Sequence, residues 1–332
     1  MSQALPFVSV VTPVYNAAAT IEACLQSLLA LDYPRDRREI IVVDNGSSDE
    51  TAAIVQRYPV QLLHELTRPS SYAARNRGIR ASRGELIAFT DADCIAERGW
   101  LTHLVEGYAD ESVGAFAGSV LAHHPTTLLE RFAEQHRVVS QEISMVCTFL
   151  PYAVTANAAY RREVLQVLGG FDDQFISGGD SDLSWRLQRV CGKRIRFNRS
   201  AIVYHRHRTT LRGLCQQYWK YGYGTVMLYE RFPDYRKSWG VEVWFTLKRV
   251  SWFLARGMSR LARDPFRRGE GSLYFTEHFL DALCTLSRLL GMLQCQWQTR
   301  PPVPSVRWDT VGADHAIRLG RVMDERDRCW DI

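Results

Sequence analysis

Apolar residues run almost unbroken over 7–12 (FVSVVT), 39–44 (EIIVVD), 60–64 (VQLLH) and 86–90 (LIAFT). Runs of that length, rich in Val and Ile and bounded by turn formers, predict buried strands. Segments of helical period lie between them. Positions 21, 25, 28 and 29 make one apolar stripe over 20–31, and further helices are predicted over 50–58 and from about 71 to 81. Asp49 or Ser48 is placed to cap the second helix, and Ser70 or Ser71 the third. Pro13 is read as stopping the first strand, with Val14, Tyr15 and Asn16 turning after it. Alternating strands and helices predict an α/β fold, with a mostly parallel sheet flanked by helices on both faces. Ligands of such sheets sit beyond the carboxyl ends of the strands. Those ends carry Thr12, Pro13, Tyr15, Asn16, Asp44, Asp91 and Asp93.

The pattern loosens after residue 95. A strand is predicted over 113–120, a helix over 127–145, an extended stretch over 152–157 and a helix near 161–168. Gly169 and Gly170 fit a helix C-cap, and a last strand spans 201–207 (AIVYHRH). Beyond 208 the chain changes character. Residues 216–229 are aromatic, with Gly222 and Gly224 read as interruptions. Apolar residues at 239, 243, 247, 250, 254, 258 and 261 then oppose Glu242, Arg249, Arg256, Arg260 and Arg263. A basic amphipathic helix with tryptophans is the pattern of an element lying in a membrane interface. The same stripe would serve a helix packed on the catalytic domain or on a partner subunit. Residues 281–293 predict a second apolar helix, and 297–332, with Pro301, Pro302 and Pro304, a loosely packed tail.

Charge follows that division. Residues 1–200 carry 20 basic and 23 acidic side chains, whereas 201–332 carry 21 and 13, so an acidic first part precedes a basic one. Such asymmetry points to an anionic surface partner. The 8 cysteines have no C-x-x-C spacing, which suits core thiols in a reducing cytosol. No basic segment followed by an apolar signal opens the chain, and no run of 18 apolar residues could span a bilayer.

The chemistry concentrates in ELIAFTDADC. Asp91 and Asp93 are paired acids where a buried strand leaves the core, and like charges there must be solvated or bound. A divalent cation such as Mg2+ relieves that repulsion and commonly also holds substrate phosphates. Neither a G-x-G-x-x-G after the first strand nor a Walker sequence occurs, which removes the main support for dinucleotide and P-loop readings. The acids instead suggest a mononucleotide held through a cation. In GGDSDLSWR, two glycines precede acids that open a helix, a setting for a carboxylate that accepts a proton.

VSVVTPVYN, VVDNGSSDET, AARNRGI and FTDADC occur in that order. Together they resemble the family 2 glycosyltransferases, inverting enzymes of GT-A fold that use nucleotide-diphosphate sugars; the likeness covers about residues 7–206. The resemblance implies a nucleotide-sugar site formed by Thr12, Pro13, Tyr15, Asn16, Asp44, Arg75, Asp91 and Asp93. It implies Mg2+ or Mn2+ held by Asp93, with Asp91 and His205. Thr155 and Asn157 would face the acceptor, with Trp185 as a further candidate. Where the family often has Glu-Asp, this chain has Gly179-Asp180, leaving Asp180 or Asp182 as the catalytic base. Arg186 is assigned to an ion pair within the fold.

The expected protein is a cytosolic inverting enzyme, peripheral on the inner face of the cell membrane through 238–293. It would move a sugar, most simply from a UDP donor, to a lipid-linked saccharide or polysaccharide. A metal-dependent nucleotidyltransferase and a non-catalytic nucleotide-sugar-binding protein are the alternatives. The expected domains are a GT-A unit over 1–208 (nucleotide-sugar half about 1–95, acceptor half about 96–208), a helical region over 209–296 and a tail over 297–332.

Overall fold

The computed structural model describes residues 5–146, 149–263 and 270–298, with side chains left out at 260–263 and 270–275. Its first part alternates as the apolar pattern predicts: β1 (Val8–Val14), α1 (Ile21–Leu29), β2 (Arg38–Asp44), α2 (Thr51–Val55), β3 (Gln61–His64), α3 (Ser71–Ala81) and β4 (Leu86–Phe89). There follow β5 (Cys94–Ala96), α4 (Trp100–Leu104), β6 (Val113–Ala122), α5 (Leu128–Gln135), α6 (Gln141–Val146) and β7 (Ala158–Arg161). Next come α7 (Arg162–Leu168), α8 (Gly179–Val190) and β8 (Arg194–His205). Three long helices close the described chain: α9 (Leu211–Arg231), α10 (Trp239–Arg263) and α11 (Glu270–Trp297).

Among the described residues the strands form one 8-stranded sheet of order 3-2-1-4-7-6-8-5. The four strands on the β3 side are parallel. β7 enters antiparallel between β4 and β6, β8 runs parallel to β6, and β5 pairs antiparallel with β8. Alternate strand residues feed two cores. Val10, Val42 and Ala88 face α1 and α4; Val11, Ile41 and Phe89 face α3, α7 and α8. Tyr223, Met227, Leu228 and Met292 of α9 and α11 belong to the second core, so these helices pack on the sheet domain.

Several local expectations are corrected. Pro13 does not stop β1, which continues to Val14 alongside Asp44. Val14 accepts from Asn45 on the β2 side and Val11 from Thr90 on the β4 side. Pro13 therefore points past the end of β4, where its missing N–H removes no ladder bond. The predicted helix over 127–145 is two helices, because Arg137 and Val139 adopt positive φ between them. The extended stretch predicted over 152–157 closes in a 3-10 turn at Thr155–Asn157, which leads into β7. Nor do Gly222 and Gly224 interrupt α9. A Cβ at Gly222 would lie 1.8 Å from the Arg288 carbonyl oxygen, and one at Gly291 2.0 Å from that of Trp219. These glycines let α9 and α11 touch backbone to backbone. The residues expected to form a tail lie outside the described residues beyond 298.

Candidate active site

The carboxyl ends of β1 and β4, the start of α8 and one side of α9 enclose a cavity of about 1220 Å³. Sheet register assembles one wall. Asp93 immediately precedes β5, whose Cys94 pairs with His205, the last residue of β8. The Arg206 N–H donates to the Asp93 carbonyl at 3.0 Å. Asp93 Oδ1 consequently lies 3.6 Å from His205 Nε2, and Asp93 Oδ2 lies 3.8 Å from Arg208 Nη1.

Asp91 is already paired. Arg75, presented by α3, donates to Asp91 Oδ1 at 2.5 Å and lies over the Tyr72 and Phe171 rings. Burial and the Asp91 pair keep this guanidinium in place at the cavity wall. On the opposite lip Tyr15 is 62% exposed, and Asn16 accepts from Ser48 with its own φ at 47°. Pro13, Tyr15, Asn16, Arg75, Asp91, Asp93, Thr155, Asp180, Trp185 and His205 all line the cavity.

Thr12, Asp44, Asn157 and Asp182 do not line it. Thr12 is fully buried. Asp44 is buried at the end of β2, where it accepts from the Ser47 N–H and faces His64 at 3.3 Å. The Asn157 amide accepts from Trp100 and donates to Ser119 and Ala201, tying β6 to β8. Trp185 reaches the rim but is itself core, with its indole N–H on the Leu150 carbonyl.

The two candidate bases are separated by their surroundings. Asp182 is wholly buried, 2.7 Å from Arg186 Nη2 and 3.4 Å from Arg231 Nε. Arg186 thus pairs within the fold as expected. Asp180 faces the cavity with one bond, from the Ser181 N–H. Burial raises its carboxyl above the ordinary range, with the Ser181 N–H and the Arg75 charge opposing the rise. A carboxylate facing the cavity with so few protein partners suits the role of proton acceptor. Gly179 is explained by its neighbour: it donates to the Tyr72 hydroxyl at 2.9 Å, and a Cβ there would meet that ring at 2.7 Å.

Among the described residues no three His, Cys, Asp or Glu side chains form a complete metal cage. Asp93 and His205 nevertheless fit Mg2+ or Mn2+ as a partial donor set, since such ions take their remaining ligands from substrate phosphate and water. The His205 Nδ1 has no partner of its own. Asp91, held by Arg75, is the weaker donor. Sequence reasoning missed Tyr72, Arg208, Lys220 and Tyr221 on the same wall. The run HRHR after the last strand was the available signal for Arg208, while α9 gave none before its packing was known.

Comparison with known proteins identifies the family and the fold. The family model described as glycosyl transferase family 2 matches residues 9–169. Glycosyltransferase AglE of Haloferax volcanii is 30% identical over 280 residues, 81% of this chain and 88% of that protein. The chain belongs to glycosyl transferase family 2. This glycosyltransferase is also 30% identical over 235 residues to the pre-mycofactocin glycosyltransferase of Mycobacterium tuberculosis, of which it spans only 48%. In fold it resembles the mannosyltransferase PcManGT of Pyrobaculum calidifontis, solved with GDP-Man and Mn2+, with a TM-score of 0.62 and 22% identity over 89% of this chain and 88% of that one. It also resembles glucosyl-3-phosphoglycerate synthase of Mycobacterium tuberculosis, solved with Mg2+ and UDP, with a TM-score of 0.51 and 20% identity over 68% and 78% of the two chains. The GT-A architecture expected from sequence is the one observed.

Proposed function

We propose that this glycosyltransferase transfers a sugar with inversion from a nucleotide-diphosphate donor, UDP-linked, to a lipid-linked saccharide or growing polysaccharide. The observation that carries the reading is the convergence of Arg75, Asp93 and Asp180 on one cavity while Asp182 stays locked away. Asp180 accepts the proton of the acceptor hydroxyl as its oxygen attacks the anomeric carbon. The bond from that carbon to the diphosphate oxygen breaks, and nucleoside diphosphate leaves. Arg75 and Arg208 hold the phosphates, and Tyr15 offers a flat face to the base. A cation held by Asp93 and His205 would neutralise the diphosphate as it leaves. Thr155 and Trp185 bound the acceptor side. The sheet domain over 1–208 carries the chemistry in this reading, with α9 completing the cavity wall.

The UDP assignment is supported by the synthase solved with UDP and set against the mannosyltransferase solved with GDP-Man, since the exposed Tyr15 ring can stack on either base. Calorimetric titration of the full chain with UDP and with GDP, each with and without Mn2+, tests it. UDP should bind tighter, and only with the metal. Tighter GDP binding would reverse the donor assignment, and metal-independent binding would remove the cation from it.

A further inference from the structure

α10 has two distinct faces. Glu242, Thr246, Val250 and Phe253 are buried, with Val250 and Phe253 packed on Ala282 of α11. A third of a turn round, Trp244, Leu247, Leu254 and Met258 fall within about a quarter-turn of one another at 3.6 residues per turn. Trp244 is 56%, Leu247 53% and Met258 60% exposed, and Trp252, further round, is 50% exposed. Of the apolar stripe expected from sequence, Leu247, Leu254 and Met258 turn outward, while Val250 packs on α11. An apolar face of this extent on a helix otherwise well packed is a docking surface.

Charge chooses the occupant. Lys248 lies over the Trp244 ring at 5.0 Å and Arg256 over the Trp252 ring at 4.8 Å, while Arg249 is also exposed. The one acid in α10, Glu242, is buried on the opposite side, taking the Tyr229 hydroxyl hydrogen bond with Arg288 at 3.5 Å. Lys248 thus borders the outward apolar face beside Trp244, and Arg256 and Arg249 continue the exposed surface past Trp252 along that one flank. That combination matches the headgroup region of an anionic bilayer, where indole rings and basic stems sit together.

We infer that the outward face of α10 seats the protein on an anionic lipid surface. Packing then fixes the cavity relative to that surface. α10 rests on α11, α11 meets α9 backbone to backbone at Gly222 and Gly291, and α9 lines the cavity with Gln217, Tyr221 and Thr225. Docking stands on α10 alone; its use, bringing the cavity to a lipid-linked acceptor, rests on the transfer reading above.

Cosedimentation of the full chain with phosphatidylcholine vesicles, with and without phosphatidylglycerol, tests the inference. Two surface variants accompany it, Lys248→Glu with Arg249→Glu, and Trp244→Ser with Leu247→Ser. The wild type should bind only the anionic vesicles and release them at high salt. Charge reversal should weaken binding at least about tenfold, since each basic residue contributes measurably near an anionic leaflet. The apolar variant should lose binding too, with donor turnover unchanged in both. The inference is overturned if wild type ignores anionic vesicles at low salt, or if neither variant alters binding. It is equally overturned if the apolar variant converts a dimer to a monomer without affecting vesicle binding, which would make the face an interface between copies. Vesicle binding by a protein that turns over no donor would uphold the docking surface and remove the transfer reading alone.

Discussion

Replacing Asp180 and Asp182 by asparagine, one at a time, separates a base from a buried clamp. Asp182 holds two arginines, Arg186 at 2.7 Å and Arg231 at 3.4 Å, with no exposure of its own. Removing one partner of a buried ion pair costs about 3–5 kcal/mol. The lower end applies here, because Arg186 keeps the Leu168 and Gly170 carbonyls and Arg231 keeps Asp172. At about 1.4 °C per kcal/mol for a chain of 332 residues, Asp182→Asn should lower the melting temperature by about 4 °C. Asp180 has one backbone donor, and burial raises its carboxyl. Because the folded state binds that proton more tightly, ionising Asp180 opposes folding as pH rises through the raised value. Asp180→Asn should therefore leave stability at neutral pH unchanged or slightly higher. Its turnover should nonetheless fall by about 10²–10⁴, the usual contribution of a general base. Differential scanning fluorimetry and nucleoside diphosphate release read the two quantities on the same samples. An Asp182→Asn protein that melts like wild type yet loses turnover, beside an active Asp180→Asn, would refute this assignment.

Three further outcomes follow from the same geometry. Asp93→Ala should stay folded by circular dichroism but lose transfer and metal-dependent UDP binding; near wild-type turnover would exclude Asp93 from the site. The acid limb of the kcat/KM profile should lie above the ordinary carboxylate range, activity falling as pH drops and Asp180 is protonated, and this limb should vanish in Asp180→Asn. Gly222→Ala places a methyl 1.8 Å from the Arg288 carbonyl oxygen, so overpacking of at least about 1–3 kcal/mol should show as a lower melting temperature. An unchanged melt would mean that α9 and α11 do not meet as described.

The parallel half of the sheet was legible because each strand is a continuous apolar run ended by turn residues. The antiparallel strands were not. β5 has 3 residues and β7 the short AAYR, too brief for a period to show, and the extended stretch predicted over YAVTAN stops just before β7 begins. Cavity residues were legible where a motif sits at a strand end, as with Tyr15 and Asp93. Asp44 also ends a strand and Asn157 was assigned by resemblance, yet their hydrogen bonds turn them into the fold, through partners such as His64 and Trp100 that lie 20 or more residues away. Gly222 and Gly224 looked like helix breakers because the cost of glycine is local, whereas the close approach that requires Gly222 comes from α11. The direction faced by α10 likewise depends on what packs against it, which no periodicity within 239–261 could show.

The central claim is that Asp180 activates an acceptor oxygen for direct displacement at the anomeric carbon. The configuration of the newly formed glycosidic bond, read by NMR after turnover of a donor of known anomeric form, tests it most directly. Nucleoside diphosphate should appear as the co-product, with an anomeric configuration opposite to the donor's. Retained configuration, or pyrophosphate in place of nucleoside diphosphate, would contradict it.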